Sequence, residues 1–415
     1  MASKVLILLL ALIALAQPAS AELPDGGRLR LADVERLVAE RNRSLVVARR
    51  ATQAAEAGMD IAGARPNPTL SLNTSGISPK HPAGSGNLDT VLRIDQPFER
   101  GGKRDLRLAV AGALLEASHS DEHDAVRQQR MLARQAYFDL KAAEDKARLF
   151  DESAKLASQV LAKAELRQKA GDLAPADVAR IRTDTLKAES DARQARVDLQ
   201  RARLALAQLL ALESEAPRLA AADPWPSLDP LPAAAPDMEQ RPDVVAARRR
   251  LEAAEKAIDL AKSQRVRDVT IGAQIERDNT DSASGNMLGF GVSIPLFTGY
   301  DYRGEIRRAH VDRDSAQDDL ERIRATAAAE VSQAAFEANQ LSERARRLQD
   351  EALPAARKAS AAVQFAFSEG AASVLDVIDA RRSLHAVETD TANALADAAK
   401  ARAAWAAAVN RTDLP

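Results

Sequence analysis

The chain is written twice. A shift of 199 positions lays 46-VVARRATQAAEAGMDIA-62 over 245-VAARRRLEAAEKAIDLA-261, and the same shift carries Gly171 onto Gly370, Asp177-Val178 onto Asp376-Val377 and Arg182 onto Arg381. With a one-residue slip, Pro97 falls on Pro295 and Gly101 on Gly299. Two copies of one long unit follow, placed at residues 22–212 and 243–411. Between them, the prolines of residues 213–242 deny both helix and central strand and predict an extended surface linker. Residues 412–415 are left as a short tail.

Each copy reads as helix, strand pair, very long helix, break, helix, so the fold class is mainly α with a small β part. In the second copy the apolar positions Ala316, Leu320, Ile323, Ala327, Val331, Ala334, Ala338, Leu341, Ala345 and Leu348 step by threes and fours, the pattern of packed antiparallel or coiled-coil helices. A continuous helix over 301–368 would reach about 100 Å at about 1.5 Å per residue. Composition agrees, because 28% charged and 3% aromatic residues suit long helices with thin seams better than large globular cores.

Within each copy a short region abandons the helical period for alternation. The strand pairs are expected at 68–78 with 87–98, and at 267–277 with 286–297. Leu70, Leu72, Leu88, Leu92 and Ile94 share one face in the first copy, against Asp89, Arg93 and Asp95. Val269, Ile271 and Ile275, with Leu288, Phe290, Val292 and Ile294, do so in the second. Two readings are open: ordinary hairpins packed on the helices, or alternating transmembrane strands, apolar to lipid and polar to a watery lumen. Phe98, Phe297, Tyr300 and Tyr302 cluster where the strands end, as an interfacial aromatic girdle would.

Residues 1–21, MASKVLILLLALIALAQPASA, carry a lysine, an apolar run and the small residues Ala19-Ser20-Ala21, the pattern of a signal peptide cleaved before Glu22. No later continuous apolar span exists, so any membrane crossing must use strands. Four strands cannot close a barrel, and an open sheet in lipid would leave edge hydrogen bonds unmade. A cyclic homotrimer supplying twelve strands is the simplest closure.

The breaks at Gly171 and Gly370, each followed by Asp-Val, complete the pattern. In this order, the signal sequence, doubled unit, strand pairs, long helices and breaks resemble the TolC-type outer membrane efflux proteins over essentially all of the mature chain. The pieces 96-QPFERGGKR-104 and 64-ARPNPTLSL-72 resemble the heavy-metal branch of that family, the outer membrane components of cobalt-zinc-cadmium type resistance pumps. The resemblance implies a trimer with a helical periplasmic tube below a twelve-stranded barrel set in outer membrane lipid. It also implies passive export of substrates, heavy-metal cations foremost, delivered by an inner-membrane pump of the RND type through a periplasmic membrane-fusion adaptor. Asp376 and Asp379, with Asp177, match the family's periplasmic constriction. Rings of such carboxylates would attract cations and raise one another's pKa. The bland alternative is that these aspartates cap or solvate a helix start. Gly171-Asp172-Leu173-Ala174 and Gly370-Ala371-Ala372-Ser373 resemble the tips that dock the adaptor. TolC itself carries an arginine shortly after the second glycine, which this chain lacks, so a salt-bridge latch is not expected at that point.

Other chemistry is sparse. There is no cysteine, which excludes disulfides, thiolate sites and a lipid-modified N-terminal cysteine. A net charge of −2 from 58 basic and 60 acidic residues gives no case for nucleic acid. His119 and His123 have the i, i+4 spacing of a metal pair beside Glu122, but no third ligand is evident. Gly101-Gly102-Lys103 lacks the rest of a phosphate loop. Neither an enzyme nor a cofactor is expected. The rival classes are a periplasmic coiled-coil scaffold or adhesin and a metal-binding periplasmic protein, and the same channel fold could instead carry organic solutes or secreted proteins.

Overall fold

The computed structural model describes residues 24–76, 88–232, 237–278, 285–369 and 371–411. The expected signal peptide, Gly370 and the tail at 412–415 therefore lie outside the described residues. The chain divides into two units, one of residues 1–45, 126–235 and 330–415, the other of 46–125 and 236–329.

In chain order the elements are β1 (Arg28–Leu29), α1 (Leu31–Arg41), α2 (Arg43–Gly63), β2 (Thr69–Ser75), β3 (Asp89–Phe98), α3 (Lys103–Lys169), α4 (Pro175–Leu210) and β4 (Ala220–Ala221). The second half supplies α5 (Pro242–Ser263), β5 (Val269–Asp278), β6 (Gly285–Ser293), α6 (Arg303–Arg347), α7 (Leu353–Ser368) and α8 (Val374–Ala408). Helices α4 and α8 begin at Pro175 and Val374, one repeat apart. Helix α3 runs for 67 residues without interruption.

The α6 seam is buried where it packs on α5 and α8. In one unit Leu320 and Ala327 pack with Val244 and Ala247. In the other, Ala338 packs with Ala401 and Trp405, and Ala345 with Ala394 and Ala398. Methyl-sized side chains let the axes approach closely, so a thin seam can hold helices that are otherwise charged.

The expected single helix over 301–368 is interrupted. A π turn occupies Leu348–Ala352, and the Leu353 N–H bonds back to the Leu348 carbonyl, five residues earlier. The reason is Pro354, which has no N–H and whose ring would strike the carbonyl four residues before it. Widening the turn by one residue relieves that clash.

The linker also departs from expectation. Residues Glu213–Arg218 form a 3₁₀ turn, Ala220–Ala221 pair in parallel with Arg28–Leu29, and Leu212, Ala216 and Leu219 are buried. Side chains of α3 supply the partners that prolines cannot. The Asp223 N–H donates to the Tyr137 hydroxyl at 3.0 Å, the Ala221 N–H to Glu144 at 3.2 Å, and Trp225 Nε1 to Asp145 at 3.0 Å. Trp225 also stacks on Phe138, with ring centroids 6.3 Å apart, beneath the Lys141 ammonium. Burial pushes the Tyr137 phenol up to about 12. Trp225→Ala should cost about 2–3 kcal/mol, the loss of a half-buried aromatic and its hydrogen bond, read as a lowered denaturant midpoint with an unchanged slope.

Candidate functional site

Two features stand apart from the helical packing, a sheet in one unit and a pair of helix breaks in the other. The sheet has the order β2-β3-β5-β6, antiparallel throughout, so β3 and β5 join the strand pairs of the two repeats edge to edge. Register puts Leu70 opposite Ile94, Leu72 opposite Leu92, Leu92 opposite Ile275, Ile271 opposite Val292, Ala273 opposite Phe290 and Ile275 opposite Leu288. Directly opposed residues share a face, so the apolar sets of both repeats form one continuous surface. It is uncovered: Phe290 is 85% exposed, Leu288 74%, Leu70 68% and Val292 67%. Ile294, just past β6, is exposed as well. Leu88 lies before β3 rather than within it and is half-buried, as is Val269 at the start of β5. Ordinary hairpins packed on helices would hide these side chains, and they are not hidden.

The opposite face is polar. The Arg93 guanidinium donates to both Asp95 oxygens at 2.7 Å and to Gln274 at 2.9 Å. It lies flat across the neighbouring strands because Gly272 and Gly291, paired in register, leave it room. A Cβ at 272 would fall on the Arg93 guanidinium and the Asp95 carboxylate, and one at 291 would come within 3.1 Å of Nη2. Gly272→Val should therefore push the Arg93–Asp95 pair aside and lower stability by about 1 kcal/mol, the loss of that part-exposed pair. Gly285→Ala, where a Cβ meets nothing within 4 Å, should not; thermal midpoints of the two variants compare them.

The stretch 96-QPFERGGKR-104 forms the junction between β3 and α3. Gly101 takes φ +75°, and a Cβ there would stand 2.7 Å from Val266 Cβ, so only glycine makes this turn. Lys103 Nζ, itself buried, reaches both Asp268 oxygens at 2.8 Å. Arg107 pairs with Glu99 at 2.9 Å, and Arg104 Nε donates to the Gly63 carbonyl at 2.6 Å, capping the end of α2.

At the first break, the Gly171 N–H bonds to the Gln168 carbonyl and the Asp172 N–H to Arg167, with Gly171 at φ +86°. This is a Schellman ending, and Pro175 at the first position of α4 restarts the helix. One repeat later the Ala371 N–H bonds to Ala366 in the same six-to-one manner, although Gly370 itself lies outside the described residues. Ser373 then caps α8: its hydroxyl accepts from the Asp376 N–H at 3.2 Å, and its N–H donates to the Asp376 carboxylate at 2.8 Å. The Ser373 hydroxyl also donates to that carboxylate at 2.7 Å, and this bond together with the one from the Ser373 N–H holds the Asp376 carboxyl below its usual range. That is opposite in sign to the rise a carboxylate ring would produce, so within one chain capping governs Asp376. Asp379 is exposed one turn on, and Asp177, half-buried in the first turn of α4, lies 3.9 Å from Arg180. Asp172, Ala174, Ala371 and Ser373 are exposed, while Leu173 packs with Val178, Ile181 and Ile378. That cluster joins the α3–α4 turn to the start of α8.

His119 is half-buried and His123 exposed on α3. Glu122 between them is taken by the Thr52 hydroxyl at 3.0 Å and Arg49 at 3.7 Å. Among the described residues no group of three or more metal-ligating side chains converges. No described helix is long and apolar enough to cross a membrane.

Known proteins resolve what these two features belong to. The profile of the outer membrane efflux protein family matches residues 36–212 and 238–411, both repeats. The chain belongs to the outer membrane efflux protein family. A relative in Cupriavidus metallidurans, the cobalt-zinc-cadmium resistance protein CzcC, is 28% identical over 364 residues, 86% of this chain and 84% of its own. CusC, whose structures concern folding and transmembrane channel formation, superposes with a TM-score of 0.78 at 20% identity, over 94% of this chain and 95% of its own. VceC of Vibrio cholerae superposes with a TM-score of 0.74 at 20% identity, over 92% and 96%. The fold of this efflux family member is thus the TolC-like one, long helices with a small sheet.

Sequence reasoning missed one contact in the efflux protein's helix-break region. Arg382 on α8 pairs with Asp184 on α4, with Nε 3.0 Å from the carboxylate. Arg182 likewise ties α4 to Glu165 of α3 at 2.7 Å. An ionic link is therefore present although no arginine directly follows Gly370. It sits about two turns into α8, and its partner is almost one repeat away in sequence, where no local pattern points to it.

Proposed function

We propose that the protein is the outer membrane channel of a tripartite efflux system, a passive duct with no catalytic chemistry of its own. Three copies form it, each giving four strands to a twelve-stranded barrel in outer membrane lipid and its long helices to a periplasmic tube. An inner-membrane pump of the RND type delivers cargo through a periplasmic adaptor that meets the two helix breaks. The observation that carries this reading is the sheet, apolar and uncovered on one face, polar on the other, with β2 and β6 as its edges. An open sheet with those faces suits lipid only when its edges are paired, and pairing β6 of one copy with β2 of the next closes it. In this assembly residues 1–21 are removed on export, residues 22–212 and 243–411 act as equivalent halves, and Asp177, Asp376 and Asp379 line the narrowest passage.

The cargo is divalent heavy-metal cations of the cobalt, zinc and cadmium class. The likeness to CzcC across both repeats supports that choice over organic solutes. Deleting the gene should lower tolerance to cobalt, zinc or cadmium salts and leave tolerance to detergents and dyes unchanged, with restoration by the intact chain. The opposite pattern would assign the duct to organic cargo.

A further inference from the structure

The sheet's helix-proximal end differs from the rest of the junction in one respect. Four cations there are matched: Lys103 by Asp268, Arg107 by Glu99, and both Arg265 and Arg303 by Asp301. Arg100 and Arg267 are the contrast. Both are exposed, and among the described residues no carboxylate holds either guanidinium. They sit on adjoining segments of the chain, since the Arg100 N–H donates to Asp268 at 3.0 Å, next in sequence to Arg267. That carboxylate is already engaged by Lys103 Nζ.

Their setting is the rim of the uncovered apolar face. Phe98, opposite Val269 in register, ends β3 two residues before Arg100 and is 49% exposed. Leu296 is 72% exposed and Tyr300 55%. The Arg267 guanidinium carbon sits 5.6 Å from the centroid of the Phe297 ring, which meets Tyr302 edge-on at 5.3 Å, and Tyr302 contacts Tyr300 in turn. Stacking on an aromatic face holds a guanidinium in place while leaving its N–H edge free.

We propose that Arg100 and Arg267 form a phosphate-binding site for the headgroups of anionic phospholipids at the edge of the bilayer. The proposal rests on the membrane-spanning reading of the sheet. Aromatic rings mark the depth at which hydrocarbon gives way to headgroups, and a planar guanidinium matches two phosphate oxygens at once. Cations near a charged lipid surface each contribute roughly a five-fold gain in affinity. The pair fixes the vertical position of the sheet at this rim, and the partnered arginines beside it hold the turn instead.

The test uses the mature full-length protein in mild detergent, titrated with dioleoyl-phosphatidylglycerol and read by native mass spectrometry. Wild type should retain the lipid, and Arg100→Gln with Arg267→Gln should bind it about twenty-fold more weakly at unchanged channel conductance. Arg265→Gln, the same charge change on an arginine held by Asp301, should bind like wild type. Equal retention by the double variant, or an equal loss in Arg265→Gln, overturns the site. Displacement of the lipid by millimolar inorganic phosphate would make it a free-anion site and overturn the lipid assignment. A wild-type protein that stays soluble without detergent would instead remove the channel reading on which the site depends.

Discussion

Breaking the Arg382–Asp184 pair is expected to open the channel. The pair joins α8 to α4 just beyond the Leu173, Val178, Ile181 and Ile378 cluster, where the two helix breaks meet. The Arg382 side chain is 59% exposed and that of Asp184 25%, so one copy is worth about 0.5–1 kcal/mol, not a buried pair's energy. In a trimer three copies act on one equilibrium, about 1.5–3 kcal/mol together, which shifts the ratio of closed to open channels roughly 10- to 150-fold. Asp184→Asn and Arg382→Gln should each give larger and longer openings in planar bilayers. The exchanged pair, Asp184→Arg with Arg382→Asp, should restore the wild-type record. Unchanged openings in both single variants would remove the pair from gating.

The second large effect is on selectivity. Asp379→Asn removes one carboxylate per chain without touching the cap of α8, and should move the reversal potential of the channel toward zero in a salt gradient. Asp376→Asn should add to that shift and also loosen the first turn of α8, because Asp376 completes the capping box with Ser373. Folding lowers the Asp376 pKa, so the cap's contribution is in force above the ordinary carboxylate range and is lost as pH falls through the folded value. Strongly acidic solution, below the ordinary carboxylate range, should thus fray α8 in wild type and add nothing in Ser373→Ala, whose cap is already gone. A reversal potential that ignores both aspartates would place the constriction elsewhere.

The parts of this structure that were legible in the sequence are those written locally. Alternation gave the strands because residues two apart share a face, and the facing of Leu70, Leu72, Leu92 and Ile94 follows from it. The joining of β3 to β5 did not follow, since pairing between repeats leaves no trace in either strand alone. The α6 seam was readable from alanine spacing, and Pro354 alone could have signalled the π turn. The linker misled for a physical reason: proline forbids regular hydrogen bonding but not burial, and Tyr137, Glu144 and Asp145 provide the missing partners. At the helix breaks, Ser373 and Asp376 have capping-box spacing as well as matching the constriction, and only the geometry shows the cap is made. The Arg382–Asp184 pair and the Arg93 seat over Gly272 and Gly291 depend on contacts between distant segments, and no single stretch encodes them.

We propose that the four strands of each chain become a closed, conducting barrel only in a trimer. The decisive measurement is the mass of the detergent-extracted mature protein together with its single-channel conductance in a planar bilayer. A trimer that inserts and conducts in discrete steps is the expected result. A monomer, soluble without detergent and silent in the bilayer, would contradict it.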